Sequence, residues 1–576
     1  MSLTGSLYIG RSALAASQLA LQVTGNNLAN ASTPGYTRQV ARLNPLGAGV
    51  DSSGLSVGRG VQVQHIRRQI DQALQTRLED AVSREQGTLV EQQILSQVEA
   101  ILNELSGSDL SSELGRFFNA FSEVANNPSA TETRAVAVEQ GVALAGFLRG
   151  LRSDLEITRS QIDSQLDSAT RRADDILREI ANLNIEIARA EQGQGVANEM
   201  RDHRDGLVRE LSELMDVTTI EQPNGAIDVL VGSTTLLTGN RSRGVEFYQE
   251  TVGGKLSVSV RVKSTGETLP LTTGRLGALL GQRASTVEAT IDDLDRVTAN
   301  LIHEVNRIHS SGEPGRPLTD STGWLRVGAG DQGLAFNDPS NATMSRLTVL
   351  PKNGSFTVYV RDGSGATTTT QIEVDLDGID ALGAAGYGDD TSLADLAAML
   401  NGIPNLNAQV TAGGQLRVFT DSGYSVSFGD DTSGVLAVLG INTYFEGDSA
   451  ANIAVRQEIQ QDPLRLVAGT ATSANGAALA MSALRDASVE GLGGLSLTNV
   501  WLKTVERVGS EGASALVRAS AASLVKENLQ AQRDGVSGVS VDEESINLLT
   551  YQRQYQGAAR FITVVDELMQ TLLAIV

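Results

Sequence analysis

No cysteine occurs anywhere in the 576 residues. That excludes a disulfide framework, a thiolate nucleophile and any cysteine-ligated metal, and it fits either redox compartment. Histidine is nearly as scarce, at four, which leaves little for an imidazole metal centre. Aromatic residues make up only 4%, a share that suits long helices and small-residue packing better than a large enclosed pocket. Basic residues are outnumbered, 45 Lys and Arg against 68 Asp and Glu, for a formal net charge of -23. Nucleic-acid binders draw affinity from Lys and Arg neutralising phosphates, so this balance argues against one. No run approaches the roughly 20 apolar residues that a membrane span requires. Mean hydropathy is -0.09, that of a soluble protein. The opening MSLTGSLYIGRSALAASQLALQ has neither a basic leader nor a compact apolar run, so no conventional secretory signal is expected. Two localisations stay open on these grounds: the cytoplasm, or export by a machine that reads no cleaved signal.

What the chain does have is a helical seam at each end. Leu7, Leu14, Leu21 and Leu28 recur every seven residues, with Leu3, Gly10, Ser17, Thr24 and Ala31 between them. At the far end Leu548, Tyr551, Tyr555, Ala558, Ile562, Val565, Met569, Leu572 and Val576 alternate steps of three and four. A seven-residue apolar repeat winds two helices about a shared seam. Large residues on one helix facing small ones on the other let the axes approach closely. The same spacing also occurs in ordinary buried helices. Seams at both ends, each beside a connector, point to assembly rather than catalysis.

The chain is long enough for several domains. The N-terminal helix is expected to stop near Asn30. Thr33-Pro34-Gly35-Tyr36 reads as a type II turn, with proline fixing φ at the second position and glycine supplying a positive φ at the third. Residues 47–60 read as a Gly- and Ser-rich connector. Helix is expected over residues 63–105, with a break at Pro128. Residues 151–192 contain neither glycine nor proline, predicting an unbroken helix of roughly 60 Å. Its seam is Ile162, Leu166, Ala169, Ala173, Ile176, Ile180, Leu183 and Ile187. Shorter helices are expected at 201–215 and 285–309. Residues 217–231 alternate around Asn224-Gly225, a hairpin signal, and 255–262 continue the pattern. Residues 344–428 read as strands, with turns at Asn353-Gly354 and Asp362-Gly363. Helix resumes after Asp462-Pro463 as far as Ala531, and 534–538 read as a second connector.

The expected fold class is multidomain α + β: paired terminal coiled-coil helices, a long-helix bundle and inserted β-rich modules. The division is 1–50 with 538–576 as a terminal helical domain, and 51–215 with 275–320 and 450–537 as the bundle. Residues 216–274 form a hairpin-rich segment, and 321–449 an outer β-rich domain.

Catalytic motifs fail on context. Gly54-Leu55-Ser56-Val57-Gly58 matches a nucleophile elbow, which needs a strand before it and a helix straight after; a glycine-rich connector leads in and extended chain follows. His303-Glu304 opens like a zincin, but position 307 is Arg307, and His309 lies roughly 120° around the helix from His303. With only His65 and His203 besides, no metal site is expected. Glu373, Asp375, Asp377 and Gly378 resemble the start of a calcium loop, whose twelfth position is Ala384 instead of glutamate. Gly58 and Gly60 lack the third glycine of a dinucleotide loop. No catalytic residue, metal or cofactor is expected. A surface hydrolase acting through Ser56 and His303 is the remaining enzymatic alternative.

Specific residues carry a resemblance. Asn26-Asn27-Leu28-Ala29-Asn30 followed by Thr33-Pro34-Gly35-Tyr36 resembles the N-terminal signature of the bacterial flagellar rod, hook and hook-associated family. Gly538 to Glu544, then Asn547-Leu548, Tyr551-Gln552 and Tyr555, resembles its other end, although Ser540-Val541 stand where Asn-Leu is usual. Arg201 to Asp205, Leu211 to Leu214, Asn306 to His309, Leu439 to Gly447 and Ala451 to Val455 are similar to the hook-associated branch that joins hook to filament.

The resemblance implies a non-enzymatic subunit, exported without a cleaved signal through the flagellar type III apparatus to the distal end of the hook. Its implied partners are copies of itself in a tubular lattice, the hook protein, a second junction protein and a cytoplasmic export chaperone on the C-terminal helix. Another axial subunit, of hook, rod or filament type, is the structural alternative. The residues expected to carry assembly are Leu7, Leu14, Leu21, Leu28, Asn30, Pro34, Gly35, Tyr36, Leu548, Tyr551, Tyr555, Ile562, Val565, Met569 and Leu572. Helices gain most of their stability from packing, so 1–45 and 540–576 are expected to be largely disordered until they dock.

Overall fold

Three long helices, Gln72–Leu102, Thr131–Ala190 and Leu497–Ser537, organise the computed structural model. It describes residues 3–47, 49–50, 56–104, 107–192, 195–253, 255–380 and 382–575. The chain divides into two units, each of which takes part of these three helices. One unit comprises Met1–Ile94, Gln161–Arg283 and Ala513–Val576, the other Leu95–Ser160 and Ala284–Gly512.

The glycine- and proline-free stretch is helical as far as Ala190, within a helix of 60 residues, and from Gln161 on it belongs to the first unit. Ile162, Leu166, Ala169, Ala173, Ile176, Ile180, Leu183 and Ile187 are all buried. Polar residues on that helix anchor the β elements. Asn184 Nδ2 donates to the carbonyls of Ile227 and Gly239 at 2.8 and 2.6 Å. Asp174 accepts from the Val245 amide at 3.0 Å and from Lys263 Nζ at 2.6 Å. The hairpin of Thr218–Glu221 and Ile227–Val231 forms around Asn224-Gly225, with Gly225 at φ 82. Val245–Val252 pairs antiparallel with Lys255–Val262.

Two expectations fail in this unit. Residues 63–68 are strand, not helix: Val61–Arg68 pairs antiparallel with Gln39–Pro45 in a two-stranded ribbon, and the helix starts only at Gln72. The alternation of Val61, Val63 and His65 with exposed Gln62 and Gln64 follows period two. The second connector is also shorter than expected. Helix continues to Ser537, and the next helix, Val541–Ile575, begins after three residues. Between 47 and 60, Gly49–Val50 pairs with Ser56–Val57; residues 48 and 51–55 lie outside the described set.

The second unit is centred on an aromatic group. From the amphipathic helix Leu110–Asn126, Phe121 packs edge-on to Tyr444 at 5.7 Å, and Phe117 lies tilted against Tyr444 and Phe445 at 5.9 and 5.7 Å. Two three-stranded antiparallel sheets follow. In one, Gly354–Asp362 lies between Thr367–Val374 and Tyr424–Gly429; in the other, Leu416–Thr420 lies between Asp320–Thr322 and Leu406–Val410. Phe356, Val358, Val360, Leu416, Val418, Val426 and Phe428 all point into their core. The β-rich stretch contains an unexpected helix, Leu393–Asn401, capped reciprocally by Ser392 and Asp395. Gly354 opens a strand instead of a turn. After Pro463 the chain runs through short pieces, including Val467–Gly469 and Gly476–Ala483, and long helix resumes only at Leu497.

Candidate assembly interface

Both chain ends lie in the first unit, and they meet there. The N-terminal helix, Leu3–Ala29, packs along the C-terminal helix, Val541–Ile575, and against the ribbon. Its buried line is made of small and polar residues: Gly10, Ala16, Ser17, Ala20, Val23, Thr24 and Asn27. Leu7, Leu14 and Leu21 are half-buried beside that line, and Leu28 is exposed. A Cβ on Gly10 would lie 2.7 Å from Ile562 Cγ1 and 3.0 Å from Phe561 Cδ1. Glycine is therefore what lets the axes come this close. The Ser17 hydroxyl bonds to the Ala13 carbonyl of its own helix at 2.9 Å, so it adds no unpaired donor to the contact.

On the C-terminal helix, Val565 is buried, and Leu548, Tyr551, Ala558, Ile562 and Met569 are half-buried. Tyr555 and Leu572 are exposed, and Val576 lies outside the described residues. Other large apolar side chains of this helix stand in solvent: Ile546, Leu549, Val564, Leu568 and Leu573 are 52–76% exposed. A groove of about 440 Å³ runs beside the helix pair, lined by Ile9, Ala13, Ala20, Leu43, Tyr551 and Phe561 among others. A helix with this many large apolar side chains uncovered is an incomplete core.

The ends are locked by polar groups. Asn27, 1% exposed, makes four hydrogen bonds. Its Nδ2 donates to the Gln39 carbonyl at 2.9 Å and to Glu544 Oε2 at 3.0 Å. Its Oδ1 accepts from the Gln39 amide at 3.0 Å and from the Tyr36 hydroxyl at 2.9 Å. The side chain thus satisfies Gln39 as a neighbouring strand would. Glu544 also accepts from Arg38 Nε at 2.9 Å, and Arg38 reaches Glu543 at 2.9 Å.

Gly35 adopts φ 81 and the Tyr36 amide donates to the Thr33 carbonyl at 3.2 Å, closing the expected turn. Burial, then the charges of Asp202, Glu199 and Glu544, push the Tyr36 phenol up to about 12, so it is a hydrogen-bond donor at neutral pH. Asn30 bonds back to Asn26 at 3.0 Å, and Pro34 is exposed on the turn. Beyond the turn, Arg68 pairs with Asp202 at 2.8 Å and Asp205 at 2.7 Å, and Asp202 also accepts from the Thr37 amide at 3.3 Å. Arg204, buried, donates to the Gly225 carbonyl at 2.6 Å. The segment 201–205 therefore ties turn, ribbon and hairpin together.

The other motif residues have structural surroundings. Strand Val61–Arg68 follows Ser56–Val57, where a nucleophile elbow needs a helix; Gly54 and Leu55 lie outside the described residues. His309 is fully enclosed. Its Nε2 accepts from the Val467 amide at 3.0 Å, so the proton sits on Nδ1, which donates to the Asn442 carbonyl at 2.7 Å. Asn306 brackets Phe445, accepting from its amide at 2.8 Å and donating to its carbonyl at 3.0 Å. The segments 306–309 and 439–447 are thus partners in one core. Nothing in the helical periodicity announced Asn27 as a hub; a polar side chain on the buried line was the available signal.

Comparison with known proteins follows the same geography. The family described as "Flagellar hook-associated protein FlgK helical domain" matches residues 95–318. "Flagella basal body rod protein" matches residues 7–37, and "Flagellar basal body rod FlgEFG protein C-terminal" matches 532–575. The chain is 25% identical to flagellar hook-associated protein 1 of Salmonella typhimurium over 574 residues, covering 98% of each. It is 24% identical to the protein of that name from Bacillus subtilis, covering 98% of this chain and 97% of that one. The solved flagellar hook junction protein FlgK of Burkholderia pseudomallei aligns with 81% of this chain and 100% of its own, at 17% identity and a TM-score of 0.49.

Proposed function

We propose that the chain is a member of the flagellar hook-associated protein 1 family, which it matches over 98% of its length, and a structural, non-enzymatic subunit of the bacterial flagellum. It forms the junction between hook and filament, polymerises through its terminal helices and is needed for the filament to assemble. One observation carries the assembly mechanism: Asn27 and Glu544 join the two chain ends, while the C-terminal helix leaves Ile546, Leu549, Val564, Leu568 and Leu573 uncovered. Of the described residues of that helix only Glu544 and Val565 are buried. A helix so thinly packed is marginal in water. Neighbouring subunits would cover its open face and complete its order, so the ends fold fully on docking into a tubular lattice.

In this reading residues 1–50 with 538–576 form the axial layer. The assembly residues are Leu7, Leu14, Leu21, Leu28, Asn30, Pro34, Gly35, Tyr36, Leu548, Tyr551, Tyr555, Ile562, Val565, Met569 and Leu572, to which Gly10, Asn27 and Glu544 are added. The subunit sits at the distal end of the hook, between the hook protein and a second junction protein, and an export chaperone takes the C-terminal helix before secretion. The match of residues 95–318 to the hook-associated helical domain favours the junction over a rod, hook or filament subunit. Immunogold labelling of flagella tests it: label is expected in one narrow band at the distal hook, and label along the rod, hook or filament would refute the placement. Exchanging Leu14, Leu21 and Ile562 for Asp should abolish incorporation while the remaining fold melts normally. Global unfolding would instead make these residues ordinary core.

A further inference from the structure

Strand Thr367–Val374 ends in an acidic run whose spacing does not close as a calcium loop, yet the fold closes it by another route. Oxygen atoms from Asp375, Asp377 and Asp390 all lie within 4.8 Å of one another. We propose that these three carboxylates bind a hard divalent cation, Ca²⁺ in preference to Mg²⁺. The proposal is independent of the assembly reading.

Asp390 is the decisive member. It is 3% exposed. Its Oδ2 accepts from Asn337 Nδ2 at 2.7 Å and from the Gly378 amide at 3.2 Å. Its Oδ1 is buried with no hydrogen-bond partner among the described residues. A buried oxygen left unmatched is costly, and here it belongs to an anion beside two others. Coulomb repulsion among three charges at this spacing opposes the arrangement; a dication at their centre reverses its sign. With no side longer than 4.8 Å, a cation at the centre of this triangle lies within about 2.8 Å of each corner, and three carboxylates suit calcium, with its six to eight oxygen ligands, better than magnesium, which is usually held by one or two. Asp375 and Asp377 are exposed, which leaves room for the waters that complete a calcium shell.

The site also has a consequence. Asp375 follows the strand, and Asp390 precedes helix Leu393–Asn401. The two ends already touch, with the Asp375 amide donating to Thr391 Oγ1 at 2.9 Å and the Thr391 amide to the Asp375 carbonyl at 2.7 Å. The ion adds Asp377 to this clasp and so pins the base of the exposed loop that contains Leu382.

Calorimetric titration of CaCl₂ into the EDTA-treated, dialysed full-length chain tests this. One saturable site is expected, with Kd between about 10 µM and 1 mM, and MgCl₂ should bind about tenfold more weakly. Asp377→Asn keeps the exposed side chain's acceptor for the Ile379 amide and leaves the fold intact by circular dichroism. It should weaken Ca²⁺ binding about tenfold or more. Asp390→Asn should abolish binding; should that variant unfold, Asp375→Asn, also exposed, replaces it. Absence of saturable binding up to about 10 mM Ca²⁺, or binding unchanged by Asp377→Asn, overturns the site. Equal affinity for Mg²⁺ overturns the preference.

Discussion

Asn27 and Glu544 lie 517 positions apart in the chain and share a buried hydrogen bond of 3.0 Å. The bond sits in a network that also holds Tyr36, Arg38 and Gln39, so neither residue can be removed without stranding several partners. Asn27→Ala leaves the Gln39 amide and carbonyl, the Tyr36 hydroxyl and one Glu544 oxygen unmatched. A cost of about 2–4 kcal/mol in the local stability of the helix pair is expected. Glu544→Gln should cost less, because it keeps the shape and one acceptor. Hydrogen exchange followed by mass spectrometry reads this directly. Residues 541–575 of Asn27→Ala should exchange markedly faster than in the parent, with the second unit unchanged. Equal exchange in both would mean that the network does not hold the ends together.

The contact of Gly10 with Ile562 sets how near the two axes come. Alanine at position 10 gains about 1 kcal/mol of helix propensity, but its Cβ would fall 2.7 Å from Ile562 Cγ1, and such overpacking costs about 1–3 kcal/mol. Gly10→Ala is therefore expected to loosen the C-terminal helix despite its better propensity, and Gly10→Leu more so. Ile562→Ala should restore part of the loss, giving a positive coupling in a double-mutant cycle. Limited proteolysis after Arg553 and Arg560 supplies the readout. A Gly10→Ala chain as resistant as the parent would show that the helices have slack here.

How far the residues announced these features depends on what each feature is made of. The line from Ile162 to Ile187 was legible because large apolar side chains recur at helical spacing with no glycine or proline to interrupt them. The N-terminal helix obeys the same period, but size was a misleading guide. Its leucines draw the eye, whereas the closest packing falls on Gly10, Ser17 and Thr24, because a near approach of two helices selects for little side chain. Only the start of strand Val61–Arg68 reads as extended, and residues 63–68 pass for helix, since a two-stranded ribbon buries only part of each face and Gln, His and Arg at its other positions blur the alternation. Helix Leu393–Asn401 left a signature in Ser392 and Asp395 that the surrounding strand pattern obscured. Asn27 is the hardest case. Its importance lies in partners from the turn and from the opposite chain end, and local periodicity carries no information about either. Asp390 likewise stands 13 residues after Asp377, a separation that only the loop's path makes short.

His309 gives the second unit a pH dependence of definite sign. Complete burial depresses its imidazole from 6.5 to about 4, and burial lowers His303 as well. The folded chain therefore keeps His309 neutral, as its acceptance from the Val467 amide requires, while the unfolded chain takes up a proton below about pH 6.5. Between those two values the unfolded state binds more protons, so stability rises with pH across the window. The contribution is fully present above about pH 6.5 and fades as pH falls toward 4, amounting to on the order of 3 kcal/mol. Urea unfolding followed by Trp fluorescence, which samples Trp324 and Trp501 of this unit, should show a lower midpoint at pH 5.5 than at pH 7.5. His309→Gln should be less stable at pH 7.5 and should flatten the difference. With only four histidines in the chain, selective labelling also allows each imidazole to be followed by NMR. The resonance lost in His309→Gln should not titrate above about pH 5; a midpoint near 6.5 for that signal would refute both the tautomer and the sign.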